Sequence, residues 1–283
     1  MLTRSYLVCA TQRSGSTLLC ELLKDTGVAG NPAEYFEARH DTGRPPHPGD
    51  YLERLPRTGA GIRDDPTPPQ APPYSSLEGI STYRDHLERT FRLGTTDNGV
   101  FGAKLMWSQI PELQALAGQL PEYSGLTDRG LLEALFHDPL YVWVTRGDKV
   151  RQAVSLWRAL QTRSWRLENG PDASGEAVLQ YRFEGIRHLV RQLEAEDAAW
   201  GAFFGRHGID RLAIAYEEDL MSDRDRAVRS VLERLGVKPP AGWRAAEPLK
   251  RQADAVSDDW VAAYHRDAAR RGQQPDTRTV PSP

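Results

Sequence analysis

Two short polar segments hold most of this chain's capacity for chemistry. The first is Gln12-Arg13-Ser14-Gly15-Ser16-Thr17, which lies between an apolar run and residues with helical spacing. At a strand-to-helix turn of this kind, backbone N–H groups and the positive end of the helix dipole converge on one point, where an anion is stabilised. Gly15 lets the backbone come close, Arg13 brings a planar guanidinium suited to phosphate or sulfate, and Ser14, Ser16 and Thr17 add hydroxyl donors. The loop lacks the first glycine and the lysine of the nucleotide-triphosphatase pattern G-x-x-x-x-G-K-[ST], which disfavours ATP or GTP hydrolysis. The bland alternative is a polar turn that caps a helix.

The second segment repeats the logic. Arg146 follows the β-rich run Leu140-Tyr141-Val142-Trp143-Val144-Thr145, at the carboxyl end of a strand, where open α/β sheets bind ligands. Ser155 follows along the next helical stretch. A surface charge that ends a strand is the alternative for any single arginine, but two such sites in one chain strengthen the anion-binding reading.

These segments need elements to position them. Residues 5–10 read as a buried strand, and Leu18, Leu19, Leu22 and Leu23 recur as in a helix. Further helices are predicted around Thr82 to Leu93, Ile110 to Gln119, Asp128 to Phe136, Lys149 to Arg166, Glu176 to Phe204, Asp223 to Leu235 and Asp258 to Arg271. Further strands are predicted at Gly99 to Leu105, Leu140 to Thr145 and Leu212 to Tyr216. Strands separated by helices imply an α/β fold, a parallel sheet flanked by helices. Between about 31 and 76 the composition shifts to Pro, Gly, Asp and Arg, which predicts an irregular excursion serving as a lid or partner-binding arm. A loose tail is predicted from about residue 273, and there is no internal repeat or low-complexity block.

At 283 residues the chain suits a single large domain over 1–283. With Lys+Arg 36 against Asp+Glu 39 and a formal net charge of -3, it lacks the basic excess that nucleic-acid binding needs. Any anion site must be local. Two cysteines, Cys9 and Cys20, lie in apolar stretches and read as buried thiols, which fits a cytoplasmic location. No secretory leader is predicted, and no stretch approaches the ~18 apolar residues of a membrane span.

Strand, Gln12-Arg13-Ser14-Gly15-Ser16-Thr17 and amphipathic helix together resemble the 5'-phosphosulfate loop of sulfotransferases that use 3'-phosphoadenosine-5'-phosphosulfate (PAPS), whose P-loop fold is similar to that of nucleotide kinases. In that family an Arg placed like Arg146 and a Ser placed like Ser155 hold the 3'-phosphate. Here their spacing is one longer than usual, which the turn at Gly147-Asp148 must absorb. A basic loop over the nucleotide is matched by Arg251 and Gln252, whereas Tyr216-Glu217-Glu218-Asp219-Leu220 resembles a largely structural stretch.

The resemblance narrows to the mycobacterial trehalose 2-sulfotransferase family. It is carried by Tyr6-Leu7-Val8, the Gln12 to Leu19 loop, Gly27-Val28-Ala29-Gly30, Lys104-Leu105-Met106-Trp107, Gln152 to Ala159, Gln161 to Arg166 and Arg251-Gln252-Ala253-Asp254. It implies sulfuryl transfer to the 2-hydroxyl of trehalose, a first step in sulfolipid biosynthesis, with 3'-phosphoadenosine-5'-phosphate as co-product, no metal, and a homodimer. On the family's G-x-P-x-E-[FY]-F stretch, Glu34 takes the place of the catalytic base, ahead of Glu37, His40 and His47. Lys104, at the end of its strand, would neutralise sulfate oxygens, and Arg13 would stabilise the leaving group. Trp107, Trp157 and Trp165 could offer aromatic faces to the sugar, with Gln161 and Arg163 as polar partners, although a tryptophan is more often part of the core than a ligand contact. Competing readings are a kinase-like ATP-binding protein, a carbohydrate-binding protein with a decayed site, and a sulfotransferase of another sugar, glycolipid or alcohol.

Overall fold

In a computed structural model of the chain, residues 2–36, 82–162, 179–246 and 255–272 are described. Four strands, β1 (Arg4–Ala10), β2 (Val100–Met106), β3 (Leu140–Thr145) and β4 (Leu212–Ala215), form one parallel sheet in the order β2-β1-β3-β4. The helices are α1 (Ser16–Asp25), α2 (Tyr83–Gly94), α3 (Ile110–Ala117), α4 (Asp128–Phe136), α5 (Lys149–Thr162), α6 (Phe183–His207), α7 (Arg224–Arg234) and α8 (Ala255–Gly272). The parallel α/β expectation is met.

β1 is buried along six of its seven residues, because helices cover both of its faces. Its side chains alternate between two cores. Tyr6, Val8 and Ala10 pack with Leu19, Leu22 and Leu23 of α1 and Val228, Val231 and Leu232 of α7. Leu7 and Cys9 face the other way, against Leu113, Leu131, Leu135, Phe136 and Trp200. Each such large side chain stabilises the fold by about 1.5–3 kcal/mol. A third core joins α5, α6 and α8 through Leu156, Trp157, Ile186, Leu189, Trp260 and Tyr264.

Register decides where functional groups land. Ala10, the last residue of β1, pairs with Met106 of β2 and Val144 of β3, so three carboxyl ends lie side by side. Arg13, Lys104 and Arg146 all belong to that edge.

Several predicted boundaries shift for local reasons. α2 starts one residue later than predicted because Thr82 is its N-cap, with its hydroxyl accepting from Asp85 N and Asp85 accepting from Thr82 N. β4 ends at Ala215, where a wide turn over Tyr216–Leu220 begins and Asp219 accepts from Ala215 N. The helix expected from about Glu176 starts at Phe183, since Gln180 is tied down through both backbone groups: its N–H donates to Gln161 Oε1 and its carbonyl accepts from Trp157 Nε1. α8 is already helical at Ala255, ahead of the expected Asp258.

Gly30 (φ 72) sits where a Cβ would lie 2.7 Å from Gly102 N and 2.8 Å from Gly94 O. Gly30→Ala combines a left-handed backbone with a collision against two backbone segments, and should cost roughly 2–4 kcal/mol. Chemical denaturation would show this as a lower midpoint, and an unchanged midpoint would mean that the segment moves aside freely.

Candidate active site

The loop after β1 is shaped for close approach. Gly15 (φ 95) is the N-cap of α1 and makes no side-chain capping bond, so the first-turn N–H groups of α1 face outward from a residue with no side chain. A Cβ there would lie 2.4 Å from the Tyr216 ring, which packs the loop from below. Arg13 holds φ 60, an uncommon conformation for a residue with a side chain. Its Nε donates to Ser155 Oγ at 3.0 Å, and its carbonyl accepts from Arg146 Nη1 at 3.2 Å. Arg13, Arg146 and Ser155 therefore form one cluster despite lying far apart in sequence.

Arg146 is 6% exposed, and its guanidinium lies 4.5 Å over the Tyr216 ring. Its Nε is 3.6 Å from Glu217 Oε1, while the Glu217 carboxylate also accepts from Gly147 N and Asp148 N. These bonds fix the turn between Arg146 and α5. Burial, then the neighbouring Arg146, pulls the Arg13 pKa below the usual arginine range; Tyr216 acts in the opposite sense and Arg158 adds to the lowering. Arg158 was missed in the sequence. It lies one turn beyond Ser155 on α5 and donates to Ser257 Oγ at 2.8 Å.

A second group forms beside the loop. Asn31–Phe36 lies across the end of β2, fixed by Lys104 N donating to Ala33 O at 2.8 Å, Asn31 N donating to Gly94 O at 2.9 Å, and the buried Phe36 ring packed edge-on to Phe136. Glu34 is thereby set against Lys104, Oε2 to Nζ 2.8 Å. The same ammonium donates to Thr17 Oγ1 at 3.1 Å, so one lysine joins the carboxylate to the anion loop. Gln109, also missed in the sequence, donates from Nε2 to Glu34 Oε1 at 2.9 Å and accepts from Met106 N at 3.0 Å. Both oxygens of Glu34 are oriented, and each keeps a lone pair for a further donor.

Around these groups, Gln12 donates from Nε2 to Ser108 Oγ at 3.5 Å, and the buried Gln12 Oε1 and Ser14 Oγ make no hydrogen bond among the described residues. Ser16 is buried and Thr17 exposed at the mouth of the loop. Trp107 is partly buried, with its ring edge-on to Trp200 at 5.0 Å. Trp157 is a correction: at 4% exposure its ring packs on Gly185 within the helical core, which removes it from an open sugar-binding wall. Gln161 is likewise engaged with backbone, donating to Trp157 O and Gln180 O and accepting from Gln180 N. Glu37, His40, His47, Arg163, Trp165, Arg251 and Gln252, with most of the 31–76 excursion, lie outside the described residues.

An oriented carboxylate, a bridging ammonium, a glycine-capped helix start and a paired-arginine cluster at one sheet edge suit transfer of a compact anionic group to a hydroxyl. The family model of Stf0 sulphotransferase matches residues 5–267. The chain belongs to the Stf0 sulphotransferase family. It is 40% identical over 277 residues to a trehalose 2-sulfotransferase of Mycobacterium tuberculosis (strain ATCC 35801 / TMC 107 / Erdman), covering 95% of this chain and 97% of that protein. A trehalose 2-sulfotransferase of Mycolicibacterium smegmatis (strain ATCC 700084 / mc(2)155) is 39% identical over 273 residues, with the same coverage. As a Stf0 sulphotransferase the chain is a transferase that draws on a sulfuryl donor. Among the described residues no helix is long and apolar enough to cross a membrane.

Proposed function

We propose that this Stf0 sulphotransferase moves the sulfuryl group of PAPS to the 2-hydroxyl of trehalose, as a cytoplasmic, single-domain homodimer. The carrying observation is the Lys104 ammonium, in contact with both the Glu34 carboxylate and Thr17 of the anion loop. A base and a sulfate-holding loop joined in this way leave the attacking oxygen and the sulfur adjacent. The two relatives, each named for trehalose 2-sulfotransfer and each covered almost end to end, support the acceptor.

In this reading Glu34 takes the proton of the sugar hydroxyl while its oxygen forms a bond to sulfur. The bond from sulfur to the bridging phosphate oxygen breaks, and its electron pair leaves on 3'-phosphoadenosine-5'-phosphate. Arg13, Lys104 and the N–H groups of Gly15, Ser16 and Thr17 take up the charge gathering there, and Gln12 and Ser14 line the same loop. Arg146 and Ser155 hold the 3'-phosphate, and Arg251 and Gln252 are kept as nucleotide contacts. Trp107 and Arg163 are kept as sugar contacts. Gln109 orients the base.

The test is incubation with ³⁵S-labelled PAPS and a panel of sugars and alcohols. Label on trehalose at the 2-position, located by NMR, is the expected result. Label on another alcohol with none on trehalose would overturn the acceptor and leave the reaction type in place, and tighter binding of ATP than of 3'-phosphoadenosine-5'-phosphate would favour a kinase-like protein.

A further inference from the structure

Behind the anion loop lies a closed ring of polar side chains that takes no part in the chemistry above. Gln152, fully buried on α5, donates from Nε2 to Thr11 Oγ1 at 3.0 Å. The Thr11 hydroxyl donates onward to Asp197 Oδ1 on α6 at 3.2 Å. Asp197 Oδ2 pairs with Lys149 Nζ, and Lys149 returns to Gln152 Oε1 at 3.1 Å. Four side chains from three elements thus satisfy one another in a closed ring, in which Lys149 donates to both of its neighbours and Asp197 accepts on both oxygens, and such bonds are strong in a low-dielectric interior.

The ring also grips backbone at two places. Gln152 Nε2 donates to Gln12 O at 2.6 Å, on the peptide that leads into Arg13, and Lys149 Nζ donates to Arg146 O. One grip falls beside each of the two arginines. On α5, Lys149, Gln152 and Ser155 follow one another at i, i+3 steps, so successive turns carry the ring and the Ser155 contact, and Arg158 follows one turn beyond Ser155. Arg13 needs such support, because a non-glycine residue at φ 60 costs about 1–2 kcal/mol unless its surroundings hold it there.

We propose that Gln152, locked by Lys149 and Asp197, is a positioning residue that sets the distance between the Arg13 loop and Arg146, matching it to the span between the two phosphates of one nucleotide. It rests on the donor reading above. A ligand held at two ends gains from both only when their separation fits, so loss of the ring removes the joint advantage more than either end's own binding.

The test compares adenosine 3',5'-bisphosphate, adenosine 5'-monophosphate and adenosine 3'-monophosphate by calorimetry on the full chain. Gln152→Met keeps the length and loses both donated bonds. It should weaken the bisphosphate about tenfold while shifting each monophosphate less than about threefold. Asp197→Asn opens the ring at its far side, leaves the Gln12 contact in place, and should act in the same direction more weakly; it carries the test if Gln152→Met does not fold. Equal weakening of all three nucleotides, or an unchanged bisphosphate advantage in both variants, would overturn the positioning role. A wild-type chain that shows no preference for the bisphosphate would instead overturn the donor reading, so the two failures are distinguishable.

Discussion

Glu34→Gln is expected to lower turnover by about two to four decades, the range for a lost general base, while donor affinity stays within a few-fold of wild type. The asymmetry follows from position. Glu34 meets Lys104 Nζ at 2.8 Å and Gln109 Nε2 at 2.9 Å, whereas Arg13 bonds to Ser155 Oγ and, through its carbonyl, to Arg146. A glutamine can accept from one of these donors, but its own amide then faces the other, and it cannot take a proton from an attacking hydroxyl. Single-turnover transfer from PAPS, alongside calorimetry with 3'-phosphoadenosine-5'-phosphate, reads both quantities. Wild-type turnover in the variant would remove Glu34 from the role of base, and a loss of donor affinity as large as the loss of rate would make it a structural anchor instead.

Arg146→Ala should do the opposite, weakening the donor about 10- to 100-fold with a smaller effect on the chemical step, as expected for a charge-assisted contact to a remote part of the ligand. The guanidinium is 6% exposed, stacks on Tyr216, faces Glu217 and holds the Arg13 carbonyl, so its removal also slackens the loop. Arg146→Lys keeps the charge and loses the planar fork, and should fall between the two. Donor titration with each protein decides the matter; a rate loss with donor affinity unchanged would place Arg146 outside the nucleotide site.

The ordering of these effects shows how much was legible beforehand. The loop from Gln12 to Thr17 could be read because its signal is local: a strand, a glycine, hydroxyls and an arginine within a few positions, followed by helical spacing. The three strand ends that carry Arg13, Lys104 and Arg146 were legible for the same reason, since alternation of element types implies a parallel sheet and its carboxyl edge. Gln109 and Gln152 were not. A buried glutamine has no sequence signature of its own, and Gln152 meets Thr11 across 141 positions, so only the folded chain brings its partners together. Arg158 was hidden in the same way, because its significance depends on α5 turning the same face toward Ser155 and Arg13. Trp157 misled for the converse reason: an aromatic ring suits a sugar and a core equally well, and here Gly185 leaves just enough space on α6 to admit it into the core.

A crystal structure with 3'-phosphoadenosine-5'-phosphate and trehalose both bound bears most directly on the central claim. The 5'-phosphate should lie against Arg13 to Thr17, the 3'-phosphate against Arg146 and Ser155, and the 2-hydroxyl of the sugar within hydrogen-bond reach of Glu34. A nucleotide held by only one of the two arginine sites, or a sugar whose hydroxyls all lie away from Glu34, would contradict it.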